Sequence, residues 1–146
     1  MPVTDMQVAA LRAQLAGHLD EHKRRVAELD WDTEGAGYVA LLDGAFFEAI
    51  DRRLGTQATD EDIISFVADV RSRTEESGRD VDPELAEHLI SAVLGRGGTF
   101  DGLDEKKATG AKLYMLASYV ADQQYDEAGL DEFLQEARKN ADRLLG

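Results

Sequence analysis

In six stretches of this chain apolar residues recur three and four positions apart, and nowhere do apolar and polar residues alternate in twos. A chain patterned this way buries its oily side chains as helices that press amphipathic stripes together, and it has no reason to form a sheet. The spacing predicts an all-α, single-domain bundle over residues 1–146, with about six helices at roughly 5–29, 34–54, 60–77, 83–94, 104–124 and 127–145. A hydrophobic content of 43% in 146 residues is enough for a real core.

The helix boundaries come from capping chemistry. Thr4 is placed to cap the first helix, with Gln7 three residues on to return the bond. Val8, Leu11, Leu15, Leu19, Val26 and Leu29 then make one continuous stripe, with His22 inside it and His18 at its edge. Asp30–Gly37, DWDTEGAG, interrupts the pattern, and Thr33 is the expected cap of the second helix. Gly55 ends that helix and Thr59 caps the third, whose first turn holds Asp60, Glu61 and Asp62. Ser77-Gly78 is the expected stop of the third helix. Asp82-Pro83 starts the fourth and Gly95 ends it. The stretch 95–102, GRGGTFDG, is a loop. Helix five is expected to bury Leu113, Leu116, Ala117 and Val120, leaving Tyr114, Met115 and Tyr119 spread over its other sides. Helix six turns Leu130, Phe133, Leu134, Ala137, Ala141 and Leu144 inward. Pairing Thr4 with Asp82, Leu11 with Leu89 and Gly17 with Gly95, then Ile63 with Leu130 and Phe66 with Phe133, suggests two pseudo-repeated three-helix units.

The densest apolar run is 38–54, YVALLDGAFFEAIDRRL, and it carries an acid in its middle. On a helical projection Val39, Leu42, Phe46, Phe47, Ile50 and Leu54 gather on one face, and Asp43 falls inside that face. A carboxylate among apolar groups must find a partner or take up a proton. Asp43 is therefore expected to point inward, either as a satisfied structural acid or as a perturbed, functional one.

Thirty acidic residues against sixteen basic ones give a net charge of -14. Such a surface repels phosphate backbones and anionic membranes, so no nucleic acid and no membrane is expected as a partner. The chain has no cysteine, which removes disulfides, thiolate nucleophiles and thiolate metal sites. No apolar run approaches the ~20 residues that span a bilayer, and the first residues do not read as a signal peptide. A cytoplasmic location is the expectation.

Three patterns bear on chemistry. Asp30, Asp32 and Glu34, followed by Gly35, open like a calcium loop, but the twelfth position is Leu41 where a bidentate acid belongs. His18 and His22 lie one helical turn apart and could share a divalent metal with His88 and Asp43 from other helices. The alternative is that His22 packs in the core and bonds an acid. The glycine-rich loop lacks the Lys-Ser/Thr that a phosphate loop needs, since Leu103-Asp104-Glu105 follows. No nucleophile is set in a catalytic pattern, so no catalytic residue is assigned and catalysis is not expected.

Three functions fit these features. The first is a small acidic protein-interaction or regulatory module, partnered by another protein or by self-association through helices five and six. The second is a metal-binding bundle using His18, His22, His88 and Asp43; beyond such a divalent metal no cofactor is expected. The third is an inhibitor or immunity-type protein that covers a basic partner.

Overall fold

The computed structural model of the protein describes residues 2–97 and 102–146; of the expected glycine-rich loop, residues 98–101 lie outside the described ones. Among the described residues there is no strand and there are eight helices, where six were expected: α1 (Asp5–Leu15), α2 (Leu19–Glu28), α3 (Trp31–Arg53), α4 (Asp60–Ser72), α5 (Glu75–Asp80), α6 (Pro83–Val93), α7 (Glu105–Gln123) and α8 (Glu127–Leu145). No helix is long and apolar enough to cross a membrane among those residues.

Two expected helices are each broken in two, for separate local reasons. The stripe running from Val8 to Leu29 is cut at Gly17, whose φ of 82° only glycine adopts cheaply. There the His18 N–H donates to the Ala13 carbonyl (2.9 Å) and the Gly17 N–H to that of Gln14 (3.1 Å), the paired bonds of a glycine-terminated helix end. The expected helix 60–77 is cut by a cap. Thr74 is extended, its hydroxyl accepts the Ser77 N–H (2.9 Å), and the Ser77 hydroxyl accepts the Thr74 N–H (3.1 Å). Ser77 and Gly78, expected as a stop, therefore sit inside α5.

The start of α3 also differs from expectation. Asp30, not Thr33, is the capping residue: its carboxylate accepts the Asp32 N–H (3.1 Å), and the Glu34 carboxylate accepts the Asp30 N–H (3.1 Å). The caps at Thr4 and Thr59 are as read from the sequence, each reciprocated by the residue three positions on.

The chain forms two compact units, Met1–Glu48 with Val120–Gly146, and Ala49–Tyr119. They do not follow the suggested repeat, because the first draws on both ends of the chain. The likeness between the paired segments is local. Both α1 and α6 run for 11 residues and end at a left-handed glycine, Gly17 or Gly95, with the same bond pattern.

In the first unit α3 and α8 cross at close range. A Cβ built on Gly44 would stand 2.4 Å from the Ala137 carbonyl oxygen and 2.9 Å from the Ala141 nitrogen, so only glycine permits this approach. Beside the crossing, the Asn140 amide donates to the Gly44 carbonyl (3.1 Å) and to the Glu48 carboxylate (3.2 Å). Buried Val3 is pinned on both sides of its backbone: its N–H donates to Asp142 (2.9 Å), and Arg138 donates to its carbonyl (2.6 Å) and to Asp5 (2.7 Å). Gln7 is buried yet satisfied, accepting from the Thr4 N–H (3.0 Å) and donating to the Glu34 carbonyl (2.9 Å). On α8 the expected inward residues are buried except Leu144, which is 64% exposed.

In the second unit Ile63, Phe66, Val67 and Val70 of α4 are buried, as their spacing requires. Arg71 ties down the short α5, donating to the Val81 and Gly78 carbonyls at 2.8 Å each. Arg96 donates to the carbonyls of Thr56 and Ala58. On the part of α7 in this unit the buried face is Ala108, Ala111, Met115, Leu116 and Tyr119, whereas Ala117, expected inside, is exposed. Met115 and Tyr119 are thus covered within the chain, and the surplus apolar surface expected on this helix is not there.

Candidate functional site

Helix α3 has the most informative surface. Its burial runs almost all the way round: Ala40, Leu41, Leu42, Ala45, Phe46, Ala49 and Ile50 are each under a tenth exposed, and Gly44 is closed off by α8. Both ends of the helix, 31–33 and 51–53, are exposed; in its middle the least covered line is a stripe at four-residue spacing carrying Val39, Asp43 and Phe47. Val39 is 48% exposed, Phe47 is 43% exposed, and Asp43 between them is half-buried. Asp43 has apolar neighbours on the helix, as the sequence indicates, and of these Val39 and Phe47 are exposed.

The expected metal set is not assembled. His18 occupies the N-cap position of α2 with its side chain 65% exposed, and its Nδ1 lies 3.6 Å from the Glu21 carboxylate. A hydrogen bond from Arg25 holds the Glu21 carboxyl below its ordinary value. His22, one turn on, places Nδ1 2.7 Å from the Ala10 carbonyl. A carbonyl only accepts, so Nδ1 carries the proton. This histidine bonds backbone, not the acid that the sequence suggested. His88 lies half-buried on α6, in the second unit, while His18, His22 and Asp43 belong to the first. Among the described residues no group of three or more histidines and acids stands where it could hold a metal ion.

The calcium positions have another role. Asp30 and Glu34 cap α3, and Asp32 lies in its first turn. From Trp31 onward the segment is helical, so no twelve-residue loop wraps a cation there. Trp31 lies at the first position of α3. It is 48% exposed, with its ring edge-on to Tyr38 at 5.7 Å between centroids. Burial pushes the Tyr38 hydroxyl up to about 12.

Two features carried no advance signal. The first unit contains a cavity of about 290 Å³ at the ends of α1 and α7 and the start of α8, lined by Arg12, His18, Gln124, Tyr125, Asp126 and Leu130 among others. Two of its polar groups are engaged within the fold: Arg12 donates to Asp131 (2.8 Å) and Asp126 accepts the Gly129 N–H (2.7 Å). In the second unit the Tyr114 hydroxyl donates to Asp80 (3.0 Å), whose carboxyl is lowered first by Arg79 and then by Tyr114. That cluster is solvent-facing and reads as a surface tie between elements.

No family model, no curated protein and no solved structure matches the chain.

Proposed function

We propose that the protein is a non-catalytic helical interaction module whose docking surface is the outer stripe of α3. Its partner is a protein that offers an apolar contact ringed by basic residues. One observation carries this reading: a helix whose middle is buried on most sides leaves two large apolar side chains, Val39 and Phe47, exposed on either side of a carboxylate. Bare apolar groups on a deeply packed, rigid element are what an anchor residue needs to seat, because little order is lost on binding. A net charge of -14 selects the partner's sign, speeding encounter with a basic surface and repelling polyanions. The inhibitor-type reading is the special case in which that basic surface belongs to an enzyme.

A synthetic amphipathic helical peptide of leucine and lysine serves as the probe, with titration calorimetry as the readout. The native protein binds it at low salt and more weakly as ionic strength rises from about 50 to about 500 mM. The pair Val39→Ser and Phe47→Ser weakens binding by about tenfold or more, whereas Ile64→Ser, at a bare apolar residue on α4, leaves it unchanged. Equal binding by the Val39/Phe47 variant and the native protein would overturn the assignment.

A further inference from the structure

A different part of the first unit bears on association between copies of this chain, independently of the α3 stripe. The corner between α1 and α2 rests on the backbone of one residue. Gly17 has φ of 82°, and a Cβ added to it would meet nothing within 4 Å, so the bend is held by conformation and not by packing around that residue. Helix α2 buries no residue of its own, and the side-chain bond across the corner is that of His22 to the Ala10 carbonyl.

The attachments of α1 to the rest of the unit are of another kind. Arg12 reaches Asp131, Asp5 reaches Arg138 and Gln7 reaches the Glu34 carbonyl, all far along the chain. These partners would be met equally well by an α1 from a second copy.

The sequence also favours a straight path. Val8, Leu11, Leu15, Leu19, Val26 and Leu29 keep one helical phase through residue 17 as though the corner were absent. With the bend in place Leu11 and Leu29 of that stripe are buried, Val8, Leu15 and Val26 are partly covered, and Leu19 is left 58% exposed. Straightened, α1 and α2 would make one amphipathic helix, and two such helices could lay Leu15, Leu19 and Val26 against each other.

We propose that α1 is an exchangeable element. When Gly17 leaves its left-handed conformation, α1 and α2 join into one helix, and two copies of the chain trade α1. Each α1 then seats against α3 and α8 of the other copy. The exchanged dimer keeps every α1 attachment named above. It gives up the corner, its His22 bond and the packing of α1 against α2, for which the facing Leu15, Leu19 and Val26 of the two straightened helices substitute.

The test uses Gly17→Ala. Alanine strains the left-handed corner and favours a continuous helix, and both effects count twice in a dimer, so the dimer dissociation constant falls by about a thousandfold. Gly95→Ala is the control. It strains an equivalent helix end at φ of 73° on a different helix, and it leaves the protein's oligomeric state unchanged. Light scattering reads the mass. Exchange itself is read by Arg12→Cys with Asp131→Cys in this cysteine-free chain, joined by a short bis-maleimide. In the Gly17→Ala background the link runs between chains and gives a covalent dimer on a denaturing gel. In the native background it stays within one chain. A Gly17→Ala protein that remains monomeric, or a dimer linked only within chains, overturns the proposal. Should Gly17→Ala fail to fold, the cysteine pair alone decides. Refolded from urea at high protein concentration, it yields interchain links if α1 exchanges, and their absence overturns the proposal.

Discussion

Gly44→Ala isolates the contact on which the first unit is built. The new methyl carbon would stand 2.4 Å from the Ala137 carbonyl oxygen, 2.9 Å from the Ala141 nitrogen and 3.2 Å from the Asn140 Cβ. The two nearest atoms are α8 backbone and cannot rotate aside, so the helices must separate by about 1 Å. Overpacking of this kind costs about 1–3 kcal/mol. Separation also stretches the bond from Asn140 to the Gly44 carbonyl, worth about 1 kcal/mol. Against both stands the ~1 kcal/mol by which alanine outperforms glycine inside a helix. The net expectation is a loss of about 2 kcal/mol, or about 4–8 °C in Tm for a chain of this size. Urea and thermal unfolding followed by circular dichroism read it directly. Gly110→Ala calibrates the helix term, because that glycine lies within α7 with nothing within 4 Å of an added Cβ. It should gain up to about 1 kcal/mol. If Gly44→Ala proves as stable as the native protein, or gains as Gly110→Ala does, the close crossing of α3 and α8 is refuted.

Two further perturbations test other ties. Arg71→Ala strips both carbonyl partners at the end of α5 and should cost about 2–3 kcal/mol, with amide exchange rising first across residues 75–81; Arg71→Lys recovers only part, since one ammonium does not reproduce the fork. Tyr38 reports on alkaline stability. Its hydroxyl is raised from 10.0 to about 12 in the folded chain, so its contribution is intact below pH 10 and is lost as pH climbs from 10 toward 12. Tyr38→Phe should flatten that part of the stability profile in urea titrations, and an unchanged alkaline slope would contradict the buried position.

What the sequence revealed depended on whether a signal was local or relational. Thr4 and Thr59 are legible because a capping box lies entirely within four residues, and the protein forms both. The all-helical class follows from periodicity, which every helix must carry to be buried. Gly17 was harder to read. A lone glycine in a helical stripe is compatible with continuing or stopping, and the unbroken phase from Val8 to Leu29 argued for continuing. The deciding bonds, from His18 and Gly17 back to Ala13 and Gln14, involve backbone alone and leave no side-chain mark. Thr74 was legible in principle, since Thr74 and Ser77 carry the same reciprocal cap as the other two. The apolar run ahead of it obscured the restart.

The middle of α3 shows that a helical projection does not by itself say which face is covered. The helical wheel groups Asp43 with Val39, Phe47 and Ile50, yet Val39 and Phe47 are exposed while Ile50 is buried. The large apolar residues point to one face as the inside, while the other flanks carry Ala40, Gly44, Ala45 and Ala49 among Leu41, Glu48, Asp51 and Arg52. In a helix crossing, however, small residues mark the closest approach: Gly44 meets the backbone of α8 because it has no side chain to hold the helices apart. Tight packing on the alanine and glycine side, added to burial of Leu42, Phe46 and Ile50, leaves the Val39–Phe47 edge as the part not covered. Under the interaction function proposed above, that edge is where the apolar contact of a partner would seat.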